Sequence, residues 1–207
     1  MLLAFDTASS TVTVALHDGT EVVAVATSAQ GMKHGEQLAP LIEQVLAEAG
    51  AQPGDLTGIA VGVGPGPFTG LRVGLVTART MAHVLAVPVH GVCSLDALAL
   101  EAVETGAVAG PFVVASDARR KEVYLASYDA RGVRLDEPVV DKPAVLATSG
   151  PVVGEGARLY PEAFPDARGP ERPDAAWLAR GVVAGRFTIL GSEPLYLRRP
   201  DAVASVR

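Results

Sequence analysis

The chain has 207 residues, 49% of them hydrophobic, with a formal net charge of −6; this supplies a well-buried core for one large domain or two small ones. The acidic balance argues against a broad nucleic-acid footprint, which needs clustered Lys and Arg, and the single cysteine, Cys93, excludes an internal disulfide and a multi-cysteine zinc site. No apolar stretch approaches the ~20 residues of a membrane span, and Asp6 interrupts the start MLLAFDTASS where a signal peptide would be apolar, so a cytoplasmic protein without membrane association is expected.

Residues 2–8, 10–17 and 21–28 read as three strands, with Val12, Val14 and Leu16 alternating against Thr11, Thr13 and Ala15. Asp18-Gly19 between the last two is a hairpin turn signal. From His34, the residues Leu38, Leu41, Ile42, Val45, Leu46 and Ala49 follow helical spacing, and Gly50 supplies the stop. Pro40 must then lie in the first turn of that helix or bend it, because it lacks an N–H. GIAVGV at 58–63 reads as a buried strand, and a second helix over 71–86 ends before Pro88. The short strand PVHGVC leads to a third helix, for which Ser94 is the expected N-cap.

Beyond Gly106 the pattern restarts. SDARRKEVYLASYD aligns without gaps on FDTASSTVTVALHD, placing Asp117 on Asp6, Val123 on Val12 and Leu125 on Val14. The clear helix-forming stretch of this half, DAAWLARGVVAG at 174–185, follows a loop-rich region containing GEGA at 154–157. The pairing predicts a duplicated α/β protein with two subdomains of mixed sheet, 1–106 and 107–207, the C-terminal tail packing back on the first. Two such halves around a cleft resemble the actin-like, hexokinase-like (ASKHA) fold, in which the paired hairpins face nucleotide phosphates and a metal ion. Arg119-Arg120-Lys121 and Arg198-Arg199 are dense basic clusters that read as solvated.

Between the strand at 58–63 and the second helix lies GPGPFTGLR. Neither G-x-G-x-x-G nor G-x-x-x-x-G-K-[ST] fits its spacing, and Pro65 and Pro67 remove donors that a phosphate cradle would use. Two readings stay open for Gly64, Gly66, Thr69 and Gly70: a helix start that receives a small anion or a partner's carboxylate, or a tight turn whose glycines permit close backbone packing. Asp6 and Asp117 likewise either orient a metal-bound water or a nucleotide's magnesium, or cap their own turns. The four histidines, His17, His34, His83 and His90, include no pair spaced for a local helical metal site, and none of Ser9, Ser10, Ser94 and Ser116 sits in a G-x-S-x-G elbow.

GPGPFTGLRVGLVTAR, together with LLAFDTASSTVTVAL, PVHGVCSLDALA, SDARRKEVY and the C-terminal PLYLRR, resembles the TsaB (YeaZ) family through nearly the whole chain. The resemblance implies the actin-like duplication and a non-catalytic partner subunit with no catalytic residues, metal or cofactor of its own. Its partners would be a TsaD-like catalytic subunit and a TsaE-like ATPase, in the transfer of threonylcarbamoyl to the adenosine next to the anticodon of tRNAs reading codons that start with A. tRNA would be met only through that complex. TsaD-like proteins carry a metal-binding His-x-x-x-His pair where this chain has Ser94 and Leu98. The resemblance also implies joining through the first two helices, with Leu38, Leu41, Ile42, Val45, Leu75, Ala78 and Ala82 as the expected interface and a homodimer when the chain is alone. Arg72 is expected to hold the loop or a partner group. The alternative is a nucleotide-hydrolysing enzyme of the actin-like fold using Asp6, Asp117 and the loop at 64–70; a metalloprotease, the third reading, lacks its histidines.

Overall fold

Leu2–Asp6 (β1), Thr13–His17 (β2) and Val22–Thr27 (β3) form an antiparallel meander. The Asp18 carboxylate closes its second turn by accepting the N–H groups of Thr20 and Glu21 at 2.7 and 2.9 Å. β1 stops at Asp6, two residues earlier than its pattern suggests, because the Asp6 carboxylate accepts the Ala8 N–H at 2.7 Å, a local bond that competes with the ladder. The computed structural model describes residues 1–28 and 33–198, so Arg199 of the C-terminal basic pair lies outside the described residues.

Helix α1 (His34–Glu48) precedes β4 (Gly58–Gly64), and α2 (Phe68–Leu85) connects β4 to β5 (Val89–Cys93). Pro40 is the seventh residue of α1, beyond the first turn, and is exposed. α2 begins at Phe68, ahead of the expected residue 71, with Pro67 at its N-cap and the Pro67 carbonyl accepting the Leu71 N–H at 3.0 Å. β4 and β5 join β1 in parallel, giving the order β3-β2-β1-β4-β5. Helix α3 (Ser94–Glu104) starts at Ser94 itself, with Cys93 in the cap position. Ser94 is therefore not the N-cap that its residue type suggests; its hydroxyl is engaged elsewhere, with Asp6.

The second half repeats the plan with β6 (Phe112–Asp117), β7 (Val123–Tyr128), β8 (Val139–Asp141), β9 (Val152–Val153), the short α4 (Glu155–Leu159), β10 (Ala167–Arg168) and α5 (Ala175–Val183). Its strand order, β8-β7-β6-β9-β10, has the same sequence of antiparallel and parallel neighbours as the first sheet. Residues 142–151 form turns where the first half has α1. The gapless alignment of the two hairpins needs one correction. Asp6 stands opposite Thr13 but Asp117 opposite Val123, so the second turn is one residue shorter; the Arg119 carbonyl tightens it by accepting the Glu122 N–H at 3.0 Å.

α1 and α2 bury their apolar faces against Leu3, Phe5, Val14, Leu16, Ile59 and Val61 of the first sheet. The opposite face of that sheet is covered from the second half of the sequence: Ala175, Ala176, Leu178 and Ala179 of α5 pack on Leu2, Ala4, Ala15 and Ala60. Small residues on both sides allow the helix close to the strands. α3 contacts both sheets and α5, its Leu95, Leu98 and Ala102 meeting Phe112, Val114 and Tyr128. The tail then runs back over the molecule. Leu190 pairs with Gly91 of β5 at 3.1 and 2.8 Å, the Leu195 N–H donates to the Val63 carbonyl at 2.8 Å, and Arg198 reaches the Ala118 carbonyl of the second half at 2.9 Å.

Candidate functional site

The turns after β1 and β6 line one cleft between the halves, with Ser9, Pro65, Ser94, Asp117, Glu155 and Arg172 among its walls. Its volume is about 20 Å³, room for about one water, whereas ligand pockets run to several hundred Å³.

The glycine-rich loop explains part of that closure. A side chain at Gly66 would strike the Ala8 backbone, one at Gly70 would stand 2.5 Å from the Thr7 carbonyl oxygen, and one at Gly62 would collide with the Asp6 carboxylate. Gly64 also adopts φ +99, a conformation that favours glycine. The loop thus wraps the Asp6 turn, and Thr7 Oγ1 donates to the Gly70 carbonyl at 2.8 Å. His34 fastens the same turn to the start of α1, its Nε2 lying 2.8 Å from the Ser9 carbonyl oxygen. Thr69 and Arg72 stay on the surface.

Asp6 is almost fully buried; Ser94 Oγ donates to it at 2.5 Å and accepts the Gly64 N–H at 3.3 Å. Burial raises its pKa above the usual carboxylate range, and the bonds from Ser94 and Ala8 offset part of that rise. Asp117 is half-buried, accepts the Arg119 N–H at 2.9 Å and pairs with the Arg119 guanidinium at 3.4 Å. Each aspartate therefore caps its own turn through the N–H two residues on. Asp6 does not line the cleft; besides Asp117, the cleft carboxylates are paired within the chain, Glu155 with Arg172 at 2.5 Å and Glu171 with Arg158.

The two turns differ in backbone. Arg119, Arg120 and Lys121 all lie in the left-handed region, at φ 60, 56 and 61, whereas no residue between Asp6 and Thr13 does. For a side chain with a Cβ this costs about 1–2 kcal/mol per residue.

Ser94 is held by Asp6, and Leu98 is fully buried in the core around α3. Among the described residues no group of three or more His, Cys, Asp or Glu is placed to hold a metal ion. The apolar helix residues expected at a partner surface need correction. Leu38, Ile42, Val45, Leu75, Ala78 and Ala82 are all buried in the chain's own core, between 0% and 7% exposed, and Leu41 is half-buried against it. The first sheet is wide enough to absorb both helix faces. What α2 presents outward is a different row, including Thr69, Val76, Thr80 and Val84, with Val76 60% and Val84 75% exposed.

Arg72 reaches towards the C-terminal tail. Its guanidinium lies 3.9 Å from the centre of the Phe68 ring, one turn earlier on α2, and its Nε donates to the Tyr196 hydroxyl at 3.3 Å. Phe68 and Tyr196 stack at 5.0 Å, so the trio clamps the C-terminal tail over the start of α2. Arg79 adds hydrogen bonds to Ser192 and an ion pair with Glu193 at 2.6 Å. The i, i+4 spacing of Phe68 and Arg72 was readable in the sequence; Tyr196, more than a hundred residues away, was not.

Two five-stranded sheets of identical order, joined by a cleft lined by the turns of both, define a duplicated α/β protein of the actin-like (ASKHA) class. The family model of TsaD, tRNA N6-adenosine threonylcarbamoyltransferase, matches residues 23–168. An uncharacterised Mycobacterium tuberculosis protein is 39% identical over 97% of this chain and 93% of its own length. The tRNA threonylcarbamoyladenosine biosynthesis protein TsaB of Bacillus subtilis is 32% identical over 70% of this chain and 62% of its own. YeaZ from Pseudomonas aeruginosa superposes with a TM-score of 0.80 at 30% identity, covering 95% of this chain and 99% of that one. The chain belongs to the TsaB (YeaZ) family.

Proposed function

We propose that the chain is a non-catalytic partner subunit in the biosynthesis of threonylcarbamoyladenosine in tRNA, working beside a TsaD-like catalytic subunit and a TsaE-like ATPase. The observation that carries this reading is the closed cleft. At about 20 Å³ it has no room for a nucleotide, and its carboxylates cap a turn or pair with arginines of the same chain. Ser94 and Leu98, at the positions matching the TsaD-like histidine pair, are committed to a hydrogen bond and to the core.

The TsaD-like subunit docks on the outward faces of α1 and α2, where Val76, Thr80 and Val84 are exposed. A second copy of the chain uses the same surface when the partner is missing. The protein acts in the cytoplasm as part of that complex; no helix among the described residues is long and apolar enough to cross a membrane.

Reconstitution tests the proposal. Threonylcarbamoyl transfer to tRNA by TsaD- and TsaE-like subunits is expected to depend on this chain, which alone transfers nothing. Turnover by the isolated chain would overturn the non-catalytic reading, and full turnover without it would overturn the partner role. The alternative, a nucleotide hydrolase using Asp6 and Asp117, requires the cleft to open by several hundred Å³; saturable ATP binding lost in Asp117→Asn would favour it.

A further inference from the structure

In the second half, a groove of about 840 Å³ is lined by Arg120, Lys121, Lys142, Leu159, Tyr160 and Pro161. We propose that this groove binds single-stranded RNA, with phosphates on the cationic rim and a base against Tyr160.

The first support is the divergence of the duplicated turns. After β1 the turn is Thr-Ala-Ser-Ser-Thr, neutral and packed under the glycine loop at 62–70. After β6 the corresponding turn carries three consecutive cations, all in left-handed backbone. A turn that only had to reverse the chain would place glycine or asparagine there. Arg120 and Lys121, which resist this conformation and line the groove, fit the strain found at binding sites.

The second support is the composition of the groove. Arg120, Lys121 and Lys142 supply charge, Tyr160 a π-face, and Leu159, 50% exposed, an apolar wall. Cations that track a backbone, with an aromatic ring for a base, are the elements of single-strand recognition. Glu162 is the carboxylate of the lining, and the chain as a whole carries −6, so attraction for a polyanion is local to this rim. RNA rather than another polyanion rests on the proposed role in tRNA modification; the groove stands on geometry alone.

Fluorescence anisotropy of the full chain with a labelled RNA of about ten nucleotides, across about 25 to 200 mM salt, tests the site. Binding is expected with a slope of log K against log salt of about −1.4, from Lys121 and Lys142 at roughly 0.7 each. Lys121→Glu with Lys142→Glu should weaken it at least about tenfold at low salt, and Tyr160→Ala about tenfold. Lys121→Gly separates binding from folding: removing the cation weakens RNA binding, while relief of the left-handed strain raises Tm by about 2 to 4 °C. The proposal is overturned if RNA does not bind at low salt, if these variants bind like the parent, or if a polyglutamate peptide or free AMP competes as well as RNA. A parent that binds RNA here yet adds nothing to reconstituted transfer would overturn the partner role and leave the site standing. A parent that supports transfer while its RNA binding ignores these residues would do the reverse.

Discussion

Glu101 reports on the seam between α3 and α5. One of its carboxylate oxygens, Oε2, is buried without a hydrogen-bond partner, and burial, reinforced by nearby Asp174, pushes its pKa from 4.5 up to about 7, against smaller opposing effects of Trp177 and Arg180. A raised carboxylate pKa means that the folded state holds the proton more tightly than the unfolded one. This contribution to stability therefore falls as pH rises from about 4.5 and is fully lost above about 7. Glu101→Gln is expected to be more stable than the parent at pH 8, on the order of 1 kcal/mol after solvent screening of a partly exposed group. The gap should close below pH 4.5. Thermal melts at both pH values check this, and a gap independent of pH would reject it. Gly66 makes the opposite kind of residue-scale argument. Because its Cβ position is occupied by the Ala8 backbone, Gly66→Ala should cost about 1–3 kcal/mol through overpacking, read as a lower urea midpoint. An unchanged midpoint would mean that the loop is held apart from the Asp6 turn in solution.

At the scale of elements, the two faces of the helix pair α1 and α2 have separate duties. Val45 is fully buried against the first sheet, so Val45→Glu forces an unpaired charge into the core and is expected to unfold the chain outright. Val76 is 60% exposed on the outer face of α2. Val76→Glu should leave circular dichroism and Tm close to the parent while abolishing both self-association and binding of the TsaD-like subunit in sedimentation. A folded Val76→Glu variant with both associations intact would move the docking surface off this face.

At the scale of the molecule, the halves are not independent. α5 belongs by sequence to the second half but packs on the first sheet, α3 touches both sheets, and Arg198 ties the tail to the Ala118 carbonyl. Calorimetry is expected to show one unfolding transition for the whole chain. Leu178→Ala, which empties a fully buried position on α5, should lower that single transition as one unit by about 2–5 kcal/mol. Two separable transitions, with Leu178→Ala moving only one, would show that the sheets fold apart.

The sequence by itself determined the elements and the duplication. Alternation marks the first meander, helical spacing marks α1, and the aligned hairpins announce two halves, because these are local patterns fixed by backbone period. It also decided the family, through motifs spread over nearly the whole chain. What it left open was which surface each element covers. The spacing of Leu38, Ile42 and Val45 says that one face of α1 is buried, but a core and a partner interface demand the same apolar stripe. Only the width of the first sheet assigns that stripe to the core. The glycines of the loop were equally readable as an anion cradle until the Asp6 turn was found against them, and the basic turn at 119–121 read as solvated until its backbone and the groove beside it were in view. Contacts between residues a hundred positions apart, such as Tyr196 on Phe68 or α5 on β1, leave no periodic trace in the chain, and they decide what is closed, what is open and what remains free to bind.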